Sequence, residues 1–329
     1  MLKSRVKKLL VESGATRVVS RFAKQGVAIL MYHSVTDKPE AQEDSLGGIG
    51  HPTQMFRNHM ESLAREYHPV NLEEIVRFIQ GRGNLPRRSV AITFDDGYAD
   101  NYEVALPILN RIGIPAAFYV TVACVQKRIL PWPARVRYAL FTTRKTDWVD
   151  PDGGQWTLRD STMRRAAFDK ACEYCSKKSG AEQDKFVACL ESQLETALIE
   201  GPSMMTWDEV RAVAKQGHII GSHTMTHPNM AHIDDEALNR EFTESKQILE
   251  RELASPVVHF SYPCPALQPH WTEQTVNLSR ACGYQSAVTT SGGTVRRDDN
   301  PLQLKRVRPT KDVAGLRANL EMAFLGRRS

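Results

Sequence analysis

Apolar, strand-like runs alternate with amphipathic, helix-like segments along most of this 329-residue chain. That rhythm limits the possible folds more than any other feature, because repeated β-then-α units predict a parallel sheet or barrel with helices outside. The strand-like runs are Val27–His33, Ser89–Asp95, Pro115–Val122, His218–His223, Val257–Tyr262, Gln285–Thr290 and Leu302–Arg308. Between them, Gln54–Glu66 carries Met55, Phe56, His59, Met60 and Leu63 at helical spacing, and Leu72–Gln80 follows as a second helix. Tyr98–Ile112 is helical and stops at Gly113, a C-cap. Thr206, with Glu209 three residues on, is a capping box for a helix running to Gly217. Asp234–Leu253, Thr272–Cys282 and Asp312–Phe324 complete the helices.

Residues 124–205 break the rhythm. They are polar and helix-rich, with Trp132, Trp148 and Trp156 near their start. We expect a barrel of residues 27–123 and 206–326 with this stretch inserted on one loop. Loops that follow barrel strands line the active-site face, so the insertion is placed to cap a substrate cleft.

Charge is unevenly spread. Residues 1–26 hold seven Lys and Arg against the single acid Glu12, a surplus of six that exceeds the whole chain's net charge of +5. The body therefore lacks the patterned basic face of a nucleic-acid binder. The arm reads as two short amphipathic pieces broken at Gly14, and peripheral contact with an anionic membrane through residues 1–24 is one use for it. A packed helix or a frayed terminus is the other reading. No run approaches the ~20 apolar residues of a membrane span. The arm has no apolar core of the kind a secretory signal carries. The six cysteines form no tight framework, and Cys172-x-x-Cys175 stands without a second pair. Together these features place the expected protein in the cytoplasm with reduced thiols.

Three polar clusters fall at the ends of strand-like runs. Thr93-Phe94-Asp95-Asp96-Gly97 offers adjacent carboxylates that point different ways, so one can bind a metal while the other serves as a base. In His223-Thr224-Met225-Thr226-His227-Pro228, two imidazoles four apart can meet one ion if the backbone turns between them. Pro228 biases that turn away from mid-helix geometry. In Ser261-Tyr262-Pro263-Cys264-Pro265, prolines fix the backbone while Cys264 keeps an N–H that can face a developing oxyanion. Two neutral nitrogens, one carboxylate ligand and one spare carboxylate suit zinc or a similar divalent ion acting on bound water.

With these motifs the sequence resembles the polysaccharide deacetylase family, carbohydrate esterase family 4, also called the NodB-homology domain. Thr93–Gly97 matches its Thr-Phe-Asp-Asp-Gly motif in full, and His223–His227 matches its His-Ser/Thr-x-x-His motif. The resemblance covers roughly residues 27–123 and 206–310. It implies a distorted (β/α) barrel and metal-dependent removal of acetyl groups, usually from N-acetylated sugars. Carried over by position, it implies Asp95 as the catalytic base and Asp96, His223 and His227 as ligands of a divalent metal, Zn²⁺ or else Co²⁺ or a similar ion. Tyr32-His33-Ser34-Val35 is similar to the Tyr-His-x-Val strand of one branch, which implies His33 as the acid.

Two features depart from the family pattern. The third motif has no Arg to orient the base, with Cys264 and Pro265 in place of the Tyr-Gly of a Tyr-Pro-Tyr-Gly variant. No His remains after residue 270 to supply a C-terminal Leu-x-His, so His33 would take over that function. Arg306, in Leu304-Lys305-Arg306-Val307, is the candidate to steady Asp95. The expected partner is an N-acetylated glycan, whether polysaccharide, oligosaccharide or lipid-linked. The alternatives are a catalytically impaired glycan-binding barrel and a deacylase of a different acyl group.

Overall fold

The computed structural model describes residues 26–37, 49–196 and 203–326. The basic arm, and with it the expected membrane contact of residues 1–24, lies outside the described residues. Six strands, β1 (Val27–Tyr32), β2 (Ser89–Phe94), β3 (Ala116–Val120), β4 (Ile219–Ser222), β5 (His259–Ser261) and β6 (Ser286–Val288), lie side by side in that order. Each runs parallel to its neighbour. His68–Pro69 adds a seventh, two-residue strand beside the start of β2. Every residue of β1, β2 and β3 is buried. Their near-continuous apolar sequence follows from a sheet covered on both faces.

The sheet curves and is closed by residues 304–307. Leu304 bridges Val288 of β6, and Val307 bridges Leu30 of β1. The Leu304 N–H donates to the Ala287 carbonyl (2.8 Å) and the Val307 N–H to the Ile29 carbonyl (2.7 Å). The result is an α/β fold whose parallel sheet forms a distorted barrel. The sequence led us to expect a regular strand over Leu302–Arg308. Instead Pro301–Gln303 makes a 3₁₀ turn, capped by Asn300, and only the two bridges follow. Pro301 fixes the turn's first dihedral, and the chain returns to the sheet too late to form a long ladder.

The outer helices of the barrel are α1 (Thr53–Glu66), α2 (Leu72–Ile79) and α3 (Leu106–Ile112) in the first half. Four further helices stand in or beside the insertion: α4 (Val122–Lys127), α5 (Trp132–Thr142), α6 (Ser161–Ser176) and α7 (Gly180–Gln193). The second half contributes α8 (Trp207–Lys215), α9 (Asp235–Leu253), α10 (Glu273–Ala281) and α11 (Val313–Phe324). The capping box of α8 is present: the Glu209 N–H donates to Thr206 Oγ1 (3.2 Å), and the Thr206 N–H donates back to Glu209 Oε2 (2.7 Å). The helix expected over Tyr98–Ile112 opens with a π turn, Asn101–Ala105. Pro107 has no N–H to give the carbonyl four residues back, and the backbone widens just before it.

The insertion has its own apolar cluster. Trp132, Val136, Leu140, Trp148, Cys172, Cys175, Val187 and Leu190 pack together in it. An antiparallel pair, Asp147–Val149 with Gln155–Thr157, brings Trp148 opposite Trp156. Such short strands carry too few residues to show a period in sequence. Cys172 and Cys175 are free and buried in this cluster. Burial holds the Cys172 thiol protonated, as expected for a packing residue and not a redox pair. Among the described residues, no helix is long and apolar enough to cross a membrane.

Candidate active site

The carboxylate pair sits where β2 ends. The Asp95 N–H continues the ladder to the Tyr32 carbonyl (3.0 Å), and then the backbone turns over. Asp96 has φ 76° and Gly97 φ 91°, both left-handed. Gly97 takes that conformation at no steric cost, whereas Asp96 is held in it at roughly 1–3 kcal/mol. The turn sends the two carboxylates in different directions.

Asp95 meets Arg306. The Arg306 Nη1 and Nη2 donate to Asp95 Oδ1 (2.8 Å) and Oδ2 (2.7 Å) as a fork. Its remaining donors are all used: Nε on the Thr289 carbonyl (2.9 Å), Nη1 on Thr93 Oγ1 (3.3 Å) and Nη2 on Ser261 Oγ (3.3 Å). Five N–H groups thus find five acceptors inside the barrel, which is the condition for burying a guanidinium at 2% exposure. Burial alone raises the Asp95 pKa, but the Arg306 charge and its hydrogen bonds, with His223 nearby, outweigh it and bring it below the ordinary value. Asp95 is therefore an anion with a fixed orientation.

Asp96 meets the two histidines. Nε2 of His223 and Nε2 of His227 each lie 3.4 Å from Asp96 Oδ1. The His223 Nδ1 lies 2.7 Å from the Ser261 carbonyl. A carbonyl only accepts, so Nδ1 carries the proton and Nε2 presents a lone pair. The loop that brings His227 back is held from three sides. The His227 N–H donates to Thr224 Oγ1 (2.9 Å). Glu241, buried on α9, accepts from the Met225 N–H (2.8 Å), the Thr226 N–H (3.0 Å) and Thr226 Oγ1 (2.5 Å). Trp132 Nε1, from the insertion, donates to the His227 carbonyl (2.8 Å). Thr224 (φ 69°) and His227 (φ 61°) are left-handed without being glycine. Three strained non-glycine residues in one site need a surrounding that over-determines them, and these clamps supply it. Gly221, just before the loop, is required by packing: a Cβ there would stand 2.5 Å from the Tyr119 ring and 2.9 Å from the His259 carbonyl.

This trio fits a cation. Asp96 Oδ1 is buried and has no hydrogen-bond partner, and neither has His227 Nδ1. One ligand atom from each of Asp96, His223 and His227 lies within 4.8 Å of the others. A buried acceptor without a donor is costly, and a divalent ion would satisfy it. Burial raises the Asp96 pKa, but the facing imidazoles hold it well below the ordinary value. For His223, burial opposes the charge and the two carboxylates win, so its pKa rises.

The other two expected residues line the same cavity. His33 Nε2 stands 4.0 Å from Asp95 Oδ2, with 19% of its side chain exposed. Its carbonyl accepts from Asn101 Nδ2 (2.6 Å), the first residue of the π turn. Loss of bulk water lowers the His33 pKa despite both carboxylates, so the ring is neutral near pH 7. Cys264 is in the wall, and its thiol faces His270 Nδ1 (2.9 Å) and Thr290 Oγ1 (3.2 Å).

The cavity has a volume of about 760 Å³. Asp95, Asp96, His33, His223, His227 and Cys264 all border it, and Arg306 lies behind Asp95. The insertion contributes Pro131, Pro133, Ala134, Arg137, Arg165 and Phe168 to its wall, as expected of a loop following a barrel strand. Sequence reasoning missed Trp132 and Glu241 as clamps and Arg137, Arg165 and Arg308 as lining. Glu241 sits in a long charged helix where one acid looks like any other. Its place on the helix's buried face, three and four residues after Leu238 and Ala237, is the signal it gives.

The sequence model of the family described as polysaccharide deacetylase matches residues 82–287. That range holds Asp95, Asp96, His223, His227 and Cys264 but neither His33 nor Arg306. YxkH of Bacillus subtilis (strain 168), assigned by its name to the same class, is 22% identical over 288 residues, covering 87% of this chain and 72% of its own. The fold is similar to Streptococcus pyogenes deacetylase PplD, solved in complex with acetate, at TM-score 0.61 and 17% identity over 91% of this chain and 98% of that one. It is also similar to IcaB from Ammonifex degensii, at TM-score 0.60 and 18% identity over 92% of this chain and 99% of that one.

Proposed function

The chain belongs to the polysaccharide deacetylase family, and from that premise we propose that it hydrolyses the N-acetyl group of an amino sugar in a polysaccharide, oligosaccharide or lipid-linked glycan. The observation that carries this reading is the division of labour at one turn: Asp95 is paired with Arg306, while Asp96 Oδ1 is left to the two imidazoles. Asp96, His223 and His227 would hold a divalent cation, Zn²⁺ by the nitrogen-rich donor set or Co²⁺ or a similar ion. Such an ion supplies Lewis-acid polarisation of the acetyl carbonyl and acidifies water.

The protein's own residues do the rest. Asp95, ionised and fixed by the Arg306 fork, accepts the proton of the attacking water. Arg306 keeps one lone pair on each Asp95 oxygen occupied, which aims the others at the cavity. An amide nitrogen leaves badly as an anion, so it must be protonated as the C–N bond breaks. His33 stands 4.0 Å from Asp95 and is neutral before the reaction, so it takes up that proton and passes it to the departing amine. The Cys264 N–H, at the cavity wall, is the donor proposed for the developing oxyanion. Acetate and a free amino sugar result, with one water consumed.

The impaired-barrel alternative drew on the missing third-motif Arg. A guanidinium nevertheless reaches Asp95, from residue 306. Acetate release from N-acetylglucosamine oligomers, before and after chelation and metal restoration, tests the reading. We expect chelation to stop the reaction and Zn²⁺ or Co²⁺ to restore it. Release indifferent to chelation contradicts the metal assignment, and release from neither acetylated oligomers, an acetylated polysaccharide nor a lipid-linked N-acetylated sugar contradicts the activity.

A further inference from the structure

His33 stands just outside the barrel sheet. The β1–β2 ladder ends with the Asp95 N–H on the Tyr32 carbonyl (3.0 Å). Past it the chain enters a two-residue strand, Ser34–Val35, which pairs with Gly50–His51 and not with the barrel. The place of the His33 ring beside Asp95 therefore depends on what holds residues 33–35. One dipeptide holds all three, Asp100–Asn101 at the head of the π turn. Asn101 Nδ2 donates to the His33 carbonyl (2.6 Å) and to Asp100 Oδ1 (3.0 Å). Ser34 Oγ donates to Asp100 Oδ2, and the Val35 N–H donates to the same carboxylate. Ser34, Val35 and Asn101 are fully buried, and Asp100 is nearly so.

This bracket is unfavourable for the fold taken alone. Burial raises the Asp100 pKa to about 6, and the donors that oppose the rise are Ser34, Val35 and Asn101, not a cation. Burying a carboxylate on neutral donors costs more than filling the same space with apolar groups. Asn101 Oδ1 is buried without a partner, so that side chain is used for its donors alone. A π turn is itself rare and recurs at functional sites. These costs converge on the backbone that carries His33, four and five residues after Asp96. We propose that Asp100 and Asn101 are positioning residues for the proton donor: they fix residues 33–35 so that the His33 ring stands between Asp95 and the departing nitrogen. The turn that carries the base and a metal ligand thus also sets the acid. This rests on the acid role given to His33 above.

A loosened His33 should harm only a reaction whose leaving group needs a proton. An amide nitrogen needs one, whereas 4-nitrophenyl acetate expels nitrophenolate without it. The full chain loaded with Zn²⁺ is assayed on N-acetylglucosamine oligomers and on 4-nitrophenyl acetate, counting ester turnover above that of Asp95→Asn. In Asn101→Ala, kcat on the amide should fall about 10–100-fold with KM unchanged, and the ester rate should change by no more than about threefold. Zn²⁺ content should stay at one ion per chain. Asp100→Asn is isosteric and removes a buried charge, so it supplies a folded variant should Asn101→Ala misfold. With one acceptor turned into a donor, it should show the same amide-selective loss, about tenfold. Equal losses on both substrates, or loss of the metal, would make the pair merely structural and overturn the proposal. Wild-type amide release by both variants overturns it too. His33→Ala separates the proposal from the reading beneath it. Near wild-type amide release by that protein overturns the acid role, and the clamp with it. An amide-selective loss in His33→Ala that Asn101→Ala and Asp100→Asn do not share overturns the clamp alone.

Discussion

At the floor of the cavity, Asp95 and Arg306 are each 2% exposed, and every donor on the guanidinium is used. At the mouth, Arg165, Arg308 and Lys311 stand in solvent, and the insertion that supplies one of them packs on its own apolar cluster. The floor is built by barrel strands whose neighbours fix each side chain, so its groups are few, strained and paired. The mouth is built by the insertion and by the loop that follows the barrel-closing segment, where charge is cheap to place and easy to change. The difference is between a floor whose groups are fixed by the strands and a mouth whose charges stand in solvent.

The contrast can be broken at several depths. Removing the carboxylate that faces both imidazoles, Asp96→Ala, should have the largest effect. Metal content by elemental analysis should fall to background, and acetate release should become undetectable. Next, Arg306→Met leaves a buried carboxylate without its partner, which costs roughly 3–5 kcal/mol by urea unfolding. The sign with pH is defined. The folded pKa of wild-type Asp95 lies below the unfolded value of about 3.9, so its contribution is complete above about pH 4 and is lost as pH falls through the folded value. In the variant, burial raises that pKa instead, and the unfavourable charge is relieved by acid. The stability gap between the two proteins should therefore narrow as pH drops from 7 to 4.

A smaller effect probes the join between the two regions. Trp132→Phe removes the hydrogen bond from the insertion to the His227 carbonyl while keeping an aromatic ring in the cluster. Outer-shell partners of metal ligands typically carry about 10–100-fold in affinity, and Zn²⁺ titration should show a loss in that range. The smallest effect belongs to the outer surface of the insertion. Lys127 pairs with Asp184 at 2.6 Å, both well exposed. Lys127→Ala should change stability by no more than about 1 kcal/mol and leave metal content alone.

Much of the floor was legible because its residues lie in short motifs at strand ends. Asp95 and Asp96 are adjacent, and His223 and His227 are four apart, so their proximity is written in the sequence. Arg306 was visible only as a candidate, since 211 positions separate it from Asp95 and barrel closure alone brings them together. The segment carrying it read as a strand because its alternation survives, although Pro301 and a 3₁₀ turn shorten the ladder. Glu241 and Trp132 were illegible as clamps. Each acts on a backbone group of the histidine loop, and no side-chain pattern marks which N–H or carbonyl lacks a partner. The mouth was hidden for a similar reason: Arg137, Arg165 and Arg308 look like surface charges until the fold turns them toward one opening.

The division of labour between adjacent carboxylates is tested most directly by Asp95→Asn, assayed for bound metal and for acetate release in the same preparation. An isosteric amide leaves Asp96, His223 and His227 untouched, so one divalent ion per chain should remain. Acetate release from N-acetylglucosamine oligomers should fall by about 10²–10⁴-fold, the usual contribution of a positioned base. Near wild-type release by the metal-loaded variant would contradict the account, because Asp95 would then hold Arg306 in place and do nothing to the water.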